Sequence, residues 1–189
     1  VPGRHNVLNS LGALVCAVEM GIKTDSILKA LKEFTGAHRR FETKGRVNGV
    51  WVVDDYAHHP TEIGVTLKAA LQTKPQRLIC VFQPHRYTRT QLLFNEFCAC
   101  FKGCDKLIVT DIYAASEEPI EGVNSQKLAE GIKKTSGVDV EYVPSMADIE
   151  NYLAANARTG DLVMTIGAGD VYKVGEALVA DLQRSNENV

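Results

Sequence analysis

The stretch RLICVFQPHRYTRTQLLFNEFCACFK, residues 77–102, contains the repeating unit from which the fold is predicted. Residues 77–82 form an almost continuous apolar run, which is typical of a strand that is buried on both faces of a sheet. A polar turn follows, and residues 88–102 then carry apolar side chains at helical spacing. The stretch therefore predicts one strand–helix unit of a parallel sheet.

The same alternation extends from about residue 46 to residue 184. Apolar runs that alternate with helical patterns favour a parallel sheet covered by helices on both faces. We therefore predict an α/β fold, with a Rossmann-like, doubly wound and mainly parallel sheet. The predicted strands cover 47–54, 77–82, 106–110, 139–143 and 161–166, and the predicted helices cover 60–72, 88–102, 124–135, 146–156 and 170–184.

Two short helices are predicted ahead of this domain, over 7–19 and 25–34. Two short helices cannot bury a core of their own, so they must pack on the domain that follows or on another one. The chain starts at a helix entry without Met, which leads us to expect a fragment of a longer protein. We expect residues 1–36 to end a preceding domain and residues 37–189 to form the Rossmann-like domain.

The composition is that of an ordinary soluble globular protein, with 45% hydrophobic and 23% charged residues. A net charge of −2 gives no general electrostatic reason to expect binding to nucleic acid or to a membrane. No apolar run in the sequence approaches the ~20 residues that a membrane span needs. The five cysteines are odd in number and lie mostly in apolar patterns, so we expect reduced thiols and no disulfide framework.

Four polar clusters follow predicted strands. In open α/β sheets, ligands bind beyond the carboxyl ends of the strands. These ends meet at one edge of a parallel sheet, so we expect the clusters to lie together. The clusters are DDYAHHP (54–60), QPHRYTRT (83–90), DIYAASEEP (111–119) and GAGD (167–170).

The cluster DDYAHHP, residues 54–60, allows three interpretations. Its carboxylates and imidazoles are metal ligands by type, but adjacent residues rarely converge on one ion. It could also be a turn with one buried Asp, since Pro60 suits the first position of a helix. We favour a loop that contacts a ligand.

Basic residues dominate two other segments. His85, Arg86 and Arg89 lie at a predicted strand end and helix start, where they would suit a carboxylate or a phosphate. Arg39 and Arg40 could hold a phosphate from the connector, although a plain surface charge cluster fits their spacing equally well. The glycines of TIGAGDV (165–171) fit a phosphate-cradling turn or simply a tight strand-to-helix turn. The sequence contains no G-x-x-x-x-G-K-[ST] phosphate loop.

Six motifs of the chain together resemble the carboxyl-terminal part of the bacterial Mur ligases. The resemblance implies a three-domain enzyme with a UDP-binding domain, a central ATPase domain and a Rossmann-like carboxyl-terminal domain. Residues 1–36 would then be the last helices of the ATPase domain. The motifs are PGRHNVLNSLGA (2–13), RRFE (39–42), DDYAHHPTEI (54–63), FQPHRYTRT (82–90), DIYAASEEPIEGV (111–123) and TIGAGDV (165–171).

The resemblance also implies an activity. In this family ATP converts a carboxylate to an acyl phosphate, which an amine then attacks. ATP, Mg²⁺, UDP-N-acetylmuramate and L-alanine are the implied cofactors and substrates, in bacterial cytoplasmic peptidoglycan synthesis. The Mg²⁺ ligands are expected mostly upstream, so no metal ligand is assigned here. The isolated chain is expected to be inactive, because half of the ATP site would be missing.

The site roles implied by the resemblance fall into two groups. Arg40, Asp55 and His58 are expected to be catalytic. The nucleotide is expected to contact His5, Asn6 and Asn9 at its adenine, Arg40 at its γ-phosphate, and Asp55 with Tyr56 at its ribose and phosphates. The amino-acid end is expected to be held by His58, His85, Arg86 and Arg89.

Three alternatives to this interpretation stay open. The chain could come from a related ligase that attaches a preformed peptide instead of L-alanine. It could be a Rossmann-like binding module without catalysis. It could also be a metallohydrolase built on the acidic and histidine residues of 54–60.

Overall fold

The computed structural model describes residues 1–187, which form six strands and eight helices. The strands make one sheet in the order β1-β2-β6-β3-β4-β5. All neighbouring strands are parallel except β1, which pairs antiparallel with β2. The strands are β1 (Glu42–Val47), β2 (Val50–Asp55), β3 (Arg77–Phe82), β4 (Lys106–Val109), β5 (Asp139–Tyr142) and β6 (Asp161–Ile166).

Helices cover both faces of the sheet, because successive apolar residues of the central strands point to opposite sides. In β3, Leu78 and Phe82 belong to the core on one face, whereas Ile79 and Val81 belong to the core on the other. The first core contains α3 (Pro60–Gln72), α5 (Phe94–Cys100) and α6 (Ser125–Ser136), and the second contains α7 (Met146–Asn156) and α8 (Tyr172–Glu187). The predicted α/β, doubly wound and mainly parallel fold is confirmed.

The start of the sheet differs from the sequence prediction of one strand over 47–54. Val47 ends β1 and Val50 begins β2, so that the two strands form a hairpin. Asn48 and Gly49 make the turn with φ values of 54° and 76°. An Asn-Gly pair between apolar runs is the strongest local signal for a hairpin turn with two left-handed residues, and the prediction overlooked it.

A second difference lies in the predicted helix 88–102. The structure contains two helices there, α4 (Tyr87–Leu92) and α5, because the backbone of Leu93 leaves the helical region at φ −111° and ψ 24°. The break lets Phe97 and Phe101 pack against Phe82 in the first core.

The two leading helices are present as α1 (Arg4–Glu19) and α2 (Thr24–Glu33). No residue of α1 is buried, and its apolar side chains Val7, Leu8 and Leu11 are all more than half exposed. The pair is therefore joined to the sheet domain with little apolar burial. Within residues 1–187, no helix is long and apolar enough to cross a membrane.

Hydrogen bonds between strand ends hold the polar loops at one edge of the sheet. The N–H of Gln83 donates to the carbonyl of Ile166, and the N–H of Gly167 donates to the carbonyl of Asp55. The N–H of Thr110 donates to the carbonyl of Phe82. The loops after β2, β3, β4 and β6 therefore meet, as their strand order predicts.

The hairpin turn gives a stability prediction. Gly49→Ala is expected to lower the free energy of unfolding by about 2 kcal/mol or more, because a left-handed backbone disfavours a Cβ. The new Cβ would also lie 2.6 Å from the Thr159 side chain. Urea unfolding measures the change.

Gly64→Ala is the matched control. Gly64 lies inside α3, and a Cβ there would meet nothing within 4 Å. We expect this change to stabilise the protein by roughly 0.5–1 kcal/mol, through helix propensity. Equal effects of the two substitutions would contradict the role of the turn.

Candidate functional site

Arg39 lies at the centre of the strand-end region, and its guanidinium is buried. Its Nε donates to Asp54 Oδ2 at 2.8 Å, its Nη1 to the Gly169 carbonyl at 3.0 Å and its Nη2 to the Gly167 carbonyl at 2.7 Å. The other oxygen of Asp54 accepts from Thr165 Oγ1 at 2.7 Å. All of these bonds face the interior, so Arg39 is not available as a phosphate ligand, and that hypothesis is wrong for this residue.

Arg40, by contrast, is exposed. It lines the same cleft as Asp55, and its guanidinium lies 5.9 Å from the ring centre of Tyr56. Burial raises the pKa of Asp55, and the charge of Arg40 opposes part of that rise. Of the two neighbouring arginines, only Arg40 is accessible to a ligand.

Asp55 is nearly buried at the end of β2. Its Oδ2 accepts from the Phe41 N–H and its Oδ1 from the Ala57 N–H, both at 2.8 Å. Burial raises the pKa of the Asp55 carboxyl, and the two N–H donors with the Arg40 charge oppose part of that rise. Asp55 therefore ties the connector to the loop and still reaches the wall of the cleft.

A cleft of about 1000 Å³ opens between the α1–α2 pair and the sheet domain. This is the upper end of the size range of small-molecule sites. Its lining is largely apolar, from side chains such as Ile27, Leu31, Phe34 and Val65. Five of the six residues assigned to the nucleotide line it: His5, Asn6, Asn9, Arg40 and Asp55.

The α1 residues of the cleft differ in how they are held. The Nδ2 of Asn6 donates to the Pro2 carbonyl at 2.8 Å, which fixes the amide at the start of the helix. His5 is half-buried and Asn9 is exposed. All three face the same cleft as Arg40, although they precede it by 31 or more positions in the sequence (40 − 9 = 31 for Asn9).

Tyr56 is the sixth residue assigned to the nucleotide, and it lies between this cleft and a second group of side chains. Its ring lies 5.0 Å from the Arg39 guanidinium and 5.4 Å from the His58 ring. The Nδ1–H of His58 donates to the Tyr56 carbonyl at 3.0 Å. The His58 ring in turn lies 5.8 Å from that of His85.

His85 and Arg89 form the centre of the second group. Arg89 Nη1 donates to His85 Nδ1 at 3.2 Å, so this nitrogen carries no hydrogen and the hydrogen of a neutral ring lies on Nε2. Burial lowers the pKa of His85, and the charges of Arg89, His58 and Arg86 lower it further, while Glu117 opposes them. His85 is therefore a neutral donor near pH 7.

Arg86 has a left-handed backbone, with φ 74°. Its Nη1 lies 3.6 Å from Glu117 Oε1. Glu117 also accepts from the N–H and the hydroxyl of Thr88, and these bonds, the hydroxyl first, lower its pKa. The basic segment is thus only partly balanced, since within residues 1–187 Arg86 has a carboxylate partner and Arg89 forms no ion pair with a carboxylate.

His59 has a structural role next to these residues. It caps α3 by accepting from the Thr61 N–H at 3.2 Å, and Glu62 accepts in return from the His59 N–H at 3.3 Å. Pro60 occupies the first turn, as predicted.

Throughout residues 1–187, no three His, Cys, Asp or Glu side chains are grouped closely enough to hold a metal ion.

The GAGD turn after β6 is shaped by close packing. A Cβ on Gly167 would lie 2.8 Å from the Gln83 carbonyl oxygen, and one on Gly169 would lie 2.2 Å from Gln83 Oε1. The carbonyls of both glycines accept from Arg39. The structure supports the tight-turn interpretation, because this turn presents acceptors to a buried cation.

Two residues of this region, Tyr113 and Glu117, were not among the site residues predicted from the sequence. Tyr113 stacks on His85 with ring centres 5.6 Å apart and planes inclined by 14°. Both residues lie in the cluster 111–119, whose position after a strand was the available signal.

Comparison with known proteins identifies a family. The sequence model described as "Mur ligase, glutamate ligase domain" matches residues 39–169. Among curated proteins, the UDP-N-acetylmuramate–L-alanine ligase of Desulforamulus reducens is 49% identical over 183 residues, covering 97% of this chain and 40% of its own length. That of Syntrophus aciditrophicus is 50% identical over 188 residues, covering 100% of this chain and 39% of its own.

Solved structures give the same result. The UDP-N-acetylmuramate-alanine ligase MurC of Thermotoga maritima superposes with a TM-score of 0.82 at 28% identity, over 98% of this chain and 39% of that one. A murein peptide ligase of Psychrobacter arcticus has a TM-score of 0.65 at 27% identity, over 95% and 37%. The chain therefore spans about 40% of the length of the curated relatives it matches.

The buried ion pair generates a stability prediction. Arg39→Leu is expected to lower the free energy of unfolding by about 3–5 kcal/mol, because it leaves Asp54 charged and without its partner in the interior. Arg40→Leu removes the neighbouring exposed arginine and is expected to change it by only about 0.5 kcal/mol. Urea unfolding of both variants compares them, and similar losses would refute the assignment of Arg39 as the central buried cation.

Proposed function

This chain belongs to the Mur ligase family, and we propose that it is the carboxyl-terminal, ATP- and amino-acid-binding part of an ATP-dependent ligase that joins L-alanine to UDP-N-acetylmuramate. One observation carries the proposal. In the loop of residues 54–60, Asp55 lines the large cleft, and His58 lies beside His85 of a cationic group. The cationic group consists of His85, Arg86 and Arg89. A ligase of this kind needs a nucleotide and an amino acid at adjacent positions.

The cleft supports nucleotide binding. Arg40 lines it with an exposed, permanently charged guanidinium, which suits the γ-phosphate of ATP. Apolar side chains with the amide groups of Asn6 and Asn9 and the ring of His5 would surround the adenine. Asp55 would approach the ribose and phosphates, with Tyr56 beside it.

Mg²⁺ accompanies ATP in such reactions, and it would neutralise charge on the phosphates. The described residues do not fit a complete Mg²⁺ site, because both oxygens of Asp55 already accept backbone N–H groups. We therefore assign most Mg²⁺ ligands to the part of the enzyme that precedes this chain.

The cationic group supports binding of an amino-acid carboxylate. Arg86 and Arg89 offer planar donors, and His85 adds a neutral N–H donor beside them. His58 lies between this group and Tyr56, and so between the proposed amino-acid and nucleotide sites. An acceptor held here would present its amine toward the phosphorylated carboxylate.

The proposed reaction has two steps. A carboxylate oxygen of UDP-N-acetylmuramate attacks the γ-phosphorus of ATP, and the bond to the leaving ADP oxygen breaks. The amine of L-alanine then attacks the acyl carbon, phosphate leaves with the electron pair of the C–O bond, and the nitrogen loses a proton. Arg40, with Asp55 and His58 at the junction, would stabilise and orient the charged groups.

The exposed apolar face of α1 supports the proposed domain division. Val7, Leu11 and Val15 would be covered by the rest of an ATPase domain to which residues 1–36 belong. Residues 37–189 would form the closing domain of the ligase. The complete enzyme would act in the bacterial cytoplasm, where its nucleotide substrates are made.

Arginine substitutions in the complete enzyme test the two sites. Arg89→Ala is expected to raise the KM for L-alanine by about 10- to 100-fold, the loss of a charged hydrogen bond, with little change in the KM for ATP. Arg40→Ala is expected to reduce kcat and to raise the KM for ATP by a similar factor. ADP release with L-alanine, and with a free tripeptide as the competing acceptor, measures both.

Arg46→Ala is the control. Arg46 lies on β1, its guanidinium carbon is 3.7 Å from the ring centre of Trp51, and it does not line the cleft. Its constants are expected to stay within about twofold of the parent. Preference for the peptide over L-alanine would favour the related peptide ligase. The assignments would be refuted if either arginine variant changed the KM for L-alanine and the KM for ATP by the same factor.

The chain alone gives a further prediction. Residues 1–189 as an isolated polypeptide are expected to have little or no ligase activity, because half of the proposed ATP site lies outside them. Normal turnover of the isolated chain in the same ADP-release assay would contradict the proposed division of the active site.

A further inference from the structure

Tyr113 is fixed beside His85 by the backbone. It lies in the loop after β4, and its N–H donates to the Pro84 carbonyl at 2.8 Å. Its own carbonyl accepts from the Arg86 N–H at 2.9 Å. These two bonds flank His85, which forms an isolated parallel bridge with Tyr113.

The Tyr113 ring contacts two functional loops. It stacks on the His85 imidazole, with centres 5.6 Å apart and planes inclined by 14°. A Cβ on Gly169 would lie 2.8 Å from the ring, so the ring also packs against the turn after β6. Tyr113 is nevertheless 41% exposed.

The loop that carries Tyr113 is strained and firmly anchored. Ala115 and Ser116 have left-handed backbones, with φ of 50° and 69°. On one side, Tyr142 Oη donates to Asp111 Oδ1 at 2.5 Å, a bond that raises the pKa of Tyr142 to about 12. On the other side, Glu117 accepts two hydrogen bonds from Thr88. Strain of this kind persists where surrounding contacts enforce it, and it concentrates at functional sites.

The charge state of His85 depends on its burial. The charged and titratable groups that face it are Arg86 just before α4, Arg89 of α4, His58 of the loop after β2, and Glu117 of the loop after β4. Burial is the largest cause of its lowered pKa, and the stacked Tyr113 ring covers one side of the imidazole. Protonation of Nδ1 would abolish its acceptance of the Arg89 hydrogen bond.

We propose that Tyr113 is a positioning residue of the acceptor site, which holds the His85 ring beside Arg89 so that both can bind the amino-acid carboxylate. This inference rests on the proposed function. It assigns Tyr113 no contact with the reacting atoms; its effect passes through His85.

The test uses the complete enzyme with Tyr113→Leu and, as the control, Tyr113→Phe. Leucine removes the stacked ring, and the KM for L-alanine is expected to rise by about 3- to 10-fold. The KM for ATP is expected to stay within about twofold. Phenylalanine keeps the ring and should leave all constants close to those of the parent.

The pH profile separates positioning from a general structural defect. His85 has a lowered pKa, so its neutral form persists to lower pH than that of an ordinary histidine. Tyr113→Leu exposes the ring and raises its pKa, so the acid limb of kcat/KM for L-alanine should move to higher pH. In a His85→Gln background, Tyr113→Leu should produce no such movement.

Circular dichroism monitors folding, and Tyr113→Met, which keeps more of the side-chain volume, is measured in parallel in case the leucine variant unfolds. The inference is overturned if L-alanine and ATP constants change equally, if neither changes, or if the acid limb stays in place. If the parent enzyme does not release ADP in response to L-alanine, the proposed function itself fails, which is a distinct result.

Discussion

The buried ion pair between Arg39 and Asp54 is the interaction on which the rest of the strand-end region depends. Burying both charges is favourable only when every donor and acceptor has a partner, and Gly167, Gly169 and Thr165 complete the set. These bonds connect three segments: the connector before β1, the end of β2 and the turn after β6. The backbone at Arg39 is left-handed, with φ 56°, and hydrogen bonds from its N–H to Glu42 and from the Tyr56 N–H to its carbonyl hold this conformation together with the ion pair.

Each member of the ion pair immediately precedes a residue of the cleft. Arg39 is followed by Arg40, and Asp54 by Asp55, so one residue of each pair faces the interior and the next faces the proposed ligand. In a strand, neighbouring side chains point to opposite sides, which explains the division between Asp54 and Asp55. The same charge types therefore have different roles one position apart. The orientation of Asp55 is set by the backbone N–H groups of Phe41 and Ala57.

This difference between neighbouring residues explains which features of the fold and of the site could be predicted from the sequence. Apolar runs such as 77–82 predicted the parallel sheet, and the order of strands then brought four polar loops to one edge. Composition could not distinguish Arg39 from Arg40, because burial of one arginine depends on carbonyls located about 130 residues away. The position of the cluster 111–119 after a strand indicated only its region, and the stacking of Tyr113 on His85 is what singles out this residue. The Asn48–Gly49 turn was readable in the sequence, and missing it was an error of interpretation.

The two walls of the cleft are anchored very differently, and this bears on how the proposed site would close. Arg40 and Asp55 belong to the wall held by the buried ion pair and by backbone hydrogen bonds. His5 and Asn6 belong to α1, which buries no residue and packs mainly against α2. A nucleotide that contacts both walls would gain interactions only when they approach each other, so its binding would favour the closed arrangement. The firm wall would keep the γ-phosphate and the acceptor amino acid in register, while the loosely packed wall would supply the movement.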